Sequence, residues 1–168
     1  MQTIYLDDAK CIMRSKFFPL FNRLDKEIKF KYTAFIGLGG NIGNTKKRFE
    51  TFLLNLKKDR RFFIKECSPI LKNKAFGYES QDYLNAVIMI KSSLYATQIL
   101  KIMQYYEFKF KRQRPFKNAP RTLDLDILYF SKKVRKSAKL TVPHIGAKER
   151  ISVIIPIGLM KGIYGHST

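Results

Sequence analysis

Two aspartates separated by one residue are the feature of this 168-residue sequence with the clearest chemistry. They are Asp124 and Asp126, within the stretch Lys117–Leu128. On a β-strand such residues project from the same face, with Cα atoms about 6.5–7 Å apart, so the two carboxylates need a nearby cation. Carboxylate oxygens suit Mg²⁺, which usually also binds waters and substrate phosphates. Two ordinary aspartates on a solvated strand edge are the alternative for the pair alone.

Basic residues surround this acidic pair. Between Phe108 and Lys148 the only acids are the two aspartates, and the same span carries twelve cations: Lys109, Lys111, Arg112, Arg114, Lys117, Arg121, Lys132, Lys133, Arg135, Lys136, Lys139 and Lys148. A metal–polyphosphate site needs carboxylates for the metal and cations for the phosphate oxygens. A nucleic-acid surface needs the cations but not the carboxylates, so the pattern favours phosphoryl chemistry.

The whole sequence is strongly basic and has few cysteines. Lys+Arg 33 against Asp+Glu 13 gives a net charge of +20, which attracts polyanions such as nucleic acid, acidic lipid or nucleotides. Cys11 and Cys67 have neither a disulfide framework nor metal-ligand spacing. The sequence has no apolar run of membrane-spanning length and no signal-peptide core, so we expect a globular cytoplasmic protein.

Hydrophobic periodicity predicts the elements that position these residues. Period-2 patterns predict strands, and helical stripes predict helices, in the order strand 30–36, helix from 45, strand 62–68, strand 83–90, helix 96–111, strand 123–130 and a short strand near 133–135. This order predicts an α+β fold, a ferredoxin-like βαββαβ sandwich whose mixed or antiparallel sheet is covered by helices.

The first thirty residues differ from the remainder. We expect residues 1–30 to form an N-terminal extension, helical and packed on a domain of residues 31–168; an arm that docks a partner is the alternative. A polar loop is expected from 69 to 81. The glycine-rich segment Gly37–Asn44 could bring backbone N–H groups to a ligand, or it could be a tight strand–helix turn.

The segment Asn118–Leu128, with the sequence NAPRTLDLDIL, resembles the signature of 6-hydroxymethyl-7,8-dihydropterin pyrophosphokinases. Gly39–Asn41, Asp82–Ala86 and Leu140–His144 resemble three further motifs of that family in the same order. The resemblance covers roughly 32–157. It implies a folate-pathway diphosphotransferase that moves pyrophosphate from ATP to the pterin hydroxymethyl group and releases AMP. It also implies two Mg²⁺ ions, ATP and the pterin as small-molecule ligands, and no nucleic-acid partner.

The resemblance also implies roles for individual residues. Asp124 and Asp126 match metal ligands, and Arg112 and Arg121 match catalytic arginines. Positions matching the pterin site are Gly40, Asn41, Asn73, Asn85 and Tyr83, the last of which stacks on the ring. Positions matching the ATP site are Glu107, Arg114, Lys117, Ile127, Lys139, Thr141, His144 and Arg150. The segment from Lys111 to Asn118 would form a lid that excludes water.

Two departures leave alternatives open. Ser152 stands where the family has a second aromatic that stacks on the pterin, so Phe76 is a candidate to replace it. An inactive pyrophosphokinase-like scaffold is therefore one alternative function, and a basic nucleic-acid-binding module is another. The extension matches nothing in the family core, and it could dock an enzyme of the same pathway.

Overall fold

The computed structural model describes residues 9–23, 30–75, 81–112, 116–117 and 119–161. Within these residues the strands are β1 Ala9–Met13, β2 Leu20–Phe21, β3 Tyr32–Gly40, β4 Phe62–Cys67, β5 Ile70–Asn73, β6 Tyr83–Ser92, β7 Asp124–Phe130, β8 Arg135–Lys136 and β9 Thr141–Val142. The helices are α1 Thr45–Lys58, α2 Ala96–Lys109 and α3 Ile151–Gly158.

The central sheet has the predicted ferredoxin-like arrangement. Strands β4, β6, β3 and β7 lie side by side in that order, with α1 and α2 as the two crossovers. Every strand pair in the described residues is antiparallel, which decides between the mixed and antiparallel sheets that the sequence left open. The α+β fold is confirmed.

The main core lies between the sheet and the helices α1 and α2. Alternating residues of β3, β6 and β7 turn towards it, including the fully buried Ile36 and Ile88. In α1, Phe49, Phe52 and Leu56 recur at helical spacing and are also fully buried. Burying this apolar stripe is what stabilises a helix on a sheet, since isolated short helices are marginal in water.

The other face of the sheet is covered only in part. Helix α3 packs there on Val87, Met89 and Leu128. Leu128 is the extra residue of a bulge in β7, because Ile36 pairs with Ile127 and Phe35 with Tyr129. Gly37 and Gly39 of β3 pair with Asp126 and Asp124, so β3 presents no side chains beside the two carboxylates.

The extension is not helical in its described part, contrary to the prediction. Residues Ala9–Met13 pair with β5 and Leu20–Phe21 pair with β4, so both segments add to the sheet. Pairing satisfies backbone groups that would otherwise be open along β5 and β4. Phe18, between these strands, is fully buried against Phe49 of α1, with ring centroids 6.0 Å apart.

Three further elements were not predicted, namely β5, β9 and α3. Strand β5 lies within the region expected to be a polar loop; its four residues are too few to show a clear alternation. Helix α3 contains Pro156, which interrupts a helical pattern in the sequence. None of the described helices is both long and apolar enough to cross a membrane.

Candidate active site

Four charged side chains meet where α2 ends and β7 begins. Arg112 Nη1 lies 2.6 Å from Glu107 Oε2, and Arg112 Nη2 lies 2.6 Å from Asp124 Oδ1. Arg121 Nη1 contacts the second oxygen of Asp124. The Arg112 side chain is only 7% exposed, so these pairs are poorly screened by water. Asp124 is therefore held between the two predicted catalytic arginines.

Asp126 lies on the same face as Asp124 but in a different environment. Its carboxylate makes no hydrogen bond or ion pair with the part of the chain that the structure describes. Burial raises the pKa of Asp126, and the charge of Asp124 raises it further; His144, Arg112 and Arg150 act in the opposite direction. The carboxylate is thus a partly desolvated negative charge with incomplete compensation, as a cation ligand would be.

The Glu107 side chain is buried and contacts other protein groups. Its Oε1 accepts the Leu125 N–H at 2.8 Å, and its Oε2 pairs with Arg112. Burial raises the pKa of Glu107 to about 7, although the Leu125 N–H and Arg112 lower it in part. The sequence predicted an ATP contact for Glu107; both of its carboxylate oxygens contact protein groups, and the ATP contact stays a prediction.

The loop after β3 positions Arg121. The Asn41 backbone N–H donates to the Arg121 carbonyl at 3.0 Å, and the Asn41 side-chain oxygen accepts the Arg121 N–H at 2.9 Å. The Asn41 amide also donates to the Gln81 carbonyl at 3.1 Å. At Gly40 a Cβ would lie 2.7 Å from the Thr122 carbonyl, so only glycine permits this approach. Gly40 and Asn41, predicted to shape the pterin pocket, therefore hold the segment that bears Arg121.

Arg48 of α1 joins the loop after β3 to the segment that bears Arg121, and the sequence did not indicate this role. Its Nη1 donates to the carbonyls of Ile42 and Thr122, both at 2.8 Å. Nothing in the sequence distinguishes Arg48 from the other cations of the basic α1, because its two acceptors are backbone atoms from distant segments.

The residues predicted for the pterin lie together on the open face near the ends of β5 and β6. Asn85 Nδ2 donates to Asn73 Oδ1 at 2.6 Å, and Asn73 Nδ2 donates to the Lys74 carbonyl at 2.9 Å. A Cβ at Gly39 would lie 3.0 Å from Asn85 Oδ1, so the bare backbone there makes room for this amide pair. Tyr83 is half-buried, and its hydroxyl donates to the Ala119 carbonyl at 3.4 Å.

The residues predicted for ATP are only partly assembled. His144 is fixed beside β7. Its backbone N–H donates to the Leu128 carbonyl at 2.8 Å, and its ring Nδ1 accepts the Gly146 N–H at 3.1 Å. Arg150 packs its side chain against Gly146. Thr141 is half-buried on β9 beside β7.

The other predicted ATP residues do not converge in this way. Lys117 and Lys139 are exposed. Ile127 is 2% exposed in the main core, on the opposite face of β7 from Asp126, so its side chain does not face the site. Arg114, Phe76 and Asn118 lie outside the described residues.

The arrangement combines a half-buried carboxylate pair, two guanidiniums and an open sheet face with an amide pair. In the described residues no cluster of three or more His, Cys, Asp or Glu side chains forms a complete metal cage. Two carboxylates suffice for a magnesium ion that keeps waters and binds substrate phosphates. The geometry suits a metal-bound polyphosphate beside a flat polar ring system.

Comparison with known proteins gives a consistent picture. Residues 35–161 match the family model described as 7,8-dihydro-6-hydroxymethylpterin-pyrophosphokinase (HPPK). The 2-amino-4-hydroxy-6-hydroxymethyldihydropteridine pyrophosphokinase of Campylobacter jejuni is 51% identical over 92% of this chain and 98% of its own length. The enzyme of the same name from Helicobacter pylori is 35% identical over 91% and 94%. That of Bacillus subtilis is 34% identical over 74% and 75%.

Proposed function

The chain belongs to the 7,8-dihydro-6-hydroxymethylpterin-pyrophosphokinase family, and we propose that it transfers pyrophosphate from ATP to the hydroxymethyl group of 6-hydroxymethyl-7,8-dihydropterin. The products are AMP and the pterin diphosphate, and the reaction is a step of folate biosynthesis. The single observation that carries this proposal is the meeting of Arg112 and Arg121 at Asp124, on the open face of the sheet that also bears Asp126.

The acidic pair fits magnesium. Asp126 makes no hydrogen bond or ion pair with the described residues, and the pKa of this carboxyl is raised by desolvation and by Asp124. A divalent cation between the two carboxylates would remove that repulsion. Asp124 and Asp126 would hold two Mg²⁺ ions together with the phosphates of ATP. When bound, the ions would supply positive charge to the phosphate oxygens.

The arginines stabilise charge during the transfer. The pterin hydroxyl attacks the β-phosphorus of ATP in line, and AMP leaves. Arg112 and Arg121 neutralise the charge that develops on the phosphoryl oxygens and on AMP. A loose transition state places little demand on deprotonating the hydroxyl, so no general base is required among the described residues.

The two substrates would occupy neighbouring parts of the open face. The amide pair of Asn85 and Asn73 offers directional hydrogen bonds to a pterin ring, and Tyr83 offers an aromatic surface. Thr141, His144 and Arg150 border β7 on the side of Asp126, where the nucleotide would lie. The Lys111–Asn118 lid would exclude water, which protects ATP from hydrolysis.

The test is AMP release from ATP, measured with Mg²⁺ in the presence and absence of 6-hydroxymethyl-7,8-dihydropterin. We expect pterin-dependent AMP release that is lost on chelation of the metal. Asp124→Ala and Asp126→Ala should each reduce it by about a hundredfold or more, because transition-state charge stabilisation is worth that much. Lys101→Ala, at an exposed cation of α2, is the matched control and should keep full activity. A folded protein that releases no AMP would contradict the proposal and favour the inactive-scaffold or polyanion-binding alternatives.

A further inference from the structure

We infer that Glu107 is a positioning residue, which sets the direction of the Arg112 guanidinium and acts on the reaction through it. The inference rests on the proposed catalytic role of Arg112. It gives Glu107 a role besides the ATP contact that the resemblance implies, because each of its carboxylate oxygens already contacts a protein group.

Glu107 holds Arg112 at two points. The Arg112 backbone N–H donates to the Glu107 carbonyl at 3.0 Å, and the guanidinium Nη1 lies 2.6 Å from the Glu107 carboxylate. Lys111, between them, has a φ of 58°, and its N–H donates to the Phe108 carbonyl. These contacts form a Schellman end of α2, which turns the chain so that Arg112 folds back over the last helical turn.

Glu107 is itself attached to the strand that bears the acidic pair. Its second carboxylate oxygen accepts the N–H of Leu125, which lies between Asp124 and Asp126. One buried side chain therefore connects the end of α2, the guanidinium and β7. These contacts fix the distance between Arg112 and the carboxylates of β7 through protein groups alone.

Glu107 contacts only one side of the Arg112 guanidinium. Nη1 faces Glu107, whereas Nε and Nη2 are buried and make no aligned hydrogen bond with any described group. Nη2 forms the ion pair with Asp124 Oδ1 at 2.6 Å, but without an aligned hydrogen bond. Nε and Nη2 form the edge that binds phosphate oxygens in a bidentate manner. If Asp124 binds a cation, Glu107 is the remaining contact that keeps this edge in place.

The variant that tests this is Glu107→Gln, which keeps an acceptor for the Leu125 N–H but removes the charge that holds Arg112. We expect kcat to fall about 10- to 100-fold, the usual effect of misplacing a catalytic group, while KM for ATP and for the pterin stays within twofold. Lys101→Gln, which removes one charge from the exposed side of the same helix, should leave kcat and both KM values unchanged.

A double-mutant cycle with Arg112→Gln separates positioning from a merely structural role. If Glu107 acts through Arg112, adding Glu107→Gln to Arg112→Gln lowers kcat no further, since coupled residues do not add. Independent, multiplied losses would overturn the inference. Wild-type kcat in Glu107→Gln, with Arg112→Gln inactive, would also overturn it and leave the proposed function intact. Wild-type kcat in Arg112→Gln would instead remove the catalytic role on which the inference rests.

Glu107→Asp provides a second test that does not remove a buried charge. The shorter side chain cannot reach Leu125 and Arg112 together, so kcat should fall although the charge is kept. Thermal unfolding of each variant reports whether it is folded. Wild-type kcat in Glu107→Asp would overturn the inference, whatever the fate of the glutamine variant.

Discussion

Asp124 and Asp126 are chemically identical side chains with different surroundings. Asp124 lies between the guanidiniums of Arg112 and Arg121, whereas Asp126 makes neither a hydrogen bond nor an ion pair with the described residues. The sequence predicted that both side chains project from the same face of a strand, because they are two residues apart. It could not predict the difference, because the direction of Arg121 depends on Asn41, eighty positions away in the chain.

Tyr83 tests the pterin side of the site at the scale of one residue. Ser152 offers no second ring, so a stacked pterin would depend on Tyr83. Since one aromatic stack is worth about 1–3 kcal/mol, Tyr83→Ala should raise the KM for the pterin about 10- to 100-fold in steady-state kinetics. Tyr83→Phe keeps the ring, loses only the 3.4 Å bond to Ala119, and should remain near wild type. An unchanged KM in Tyr83→Ala would mean that other residues form the pocket.

At the scale of elements, the loop between β3 and α1 supports the active site by contacting the segment that bears Arg121. Asn41 and Arg48 bind the backbone of the segment 121–122, and Gly40 lets that segment approach. The sequence indicated that this glycine-rich loop could either meet a ligand or make a tight turn. The structure favours the second role, because its backbone N–H groups at positions 41 and 42 donate to the Arg121 carbonyl.

Gly40→Ala is the corresponding prediction. The new Cβ would lie 2.7 Å from the Thr122 carbonyl, which is backbone and cannot rotate away. We expect a loss of about 1–3 kcal/mol in the free energy of unfolding, measured with denaturant, together with lower kcat because Arg121 shifts. Gly158→Ala is the matched control: a Cβ there meets nothing within 4 Å, so stability should not fall. Equal stability of Gly40→Ala and wild type would contradict this account of the loop.

At the scale of the whole molecule, the described part of the extension belongs to the main fold. It contributes two strands to the sheet and Phe18 to the core. The family model begins at residue 35, yet the alignment with the Campylobacter jejuni enzyme leaves only 8% of the chain outside, so it includes most of residues 1–34. The extension is therefore shared with that relative. Docking of a pathway enzyme through it remains a prediction.

Phe18→Ala tests how far the extension stabilises the molecule. Removing a fully buried phenylalanine leaves a cavity, so we expect a loss of about 3–5 kcal/mol in the free energy of unfolding. Phe21→Ala, in the same extension but 40% exposed, should cost much less. Denaturant unfolding of both variants measures the difference. If the two costs were equal and small, the extension would be an appendage and not part of the core.

The local sequence determined the core βαββαβ order and the common face of the two aspartates. Both follow from hydrophobic and strand periods, which act between residues close in the chain. Composition and motifs also indicated phosphoryl chemistry, because few other functions place a carboxylate pair within so many cations.

Only the tertiary structure decided the contacts of Glu107, the use of Gly40 and Asn41 as supports for Arg121, and the extended form of the first strands. Each depends on a partner from a distant segment: Leu125 for Glu107, the Thr122 carbonyl for Gly40, and the open edge of β5 for residues 9–13. Backbone atoms supply most of these partners. Since every residue carries the same backbone groups, no sequence pattern marks which of them will meet a given side chain, and folding alone brings them together.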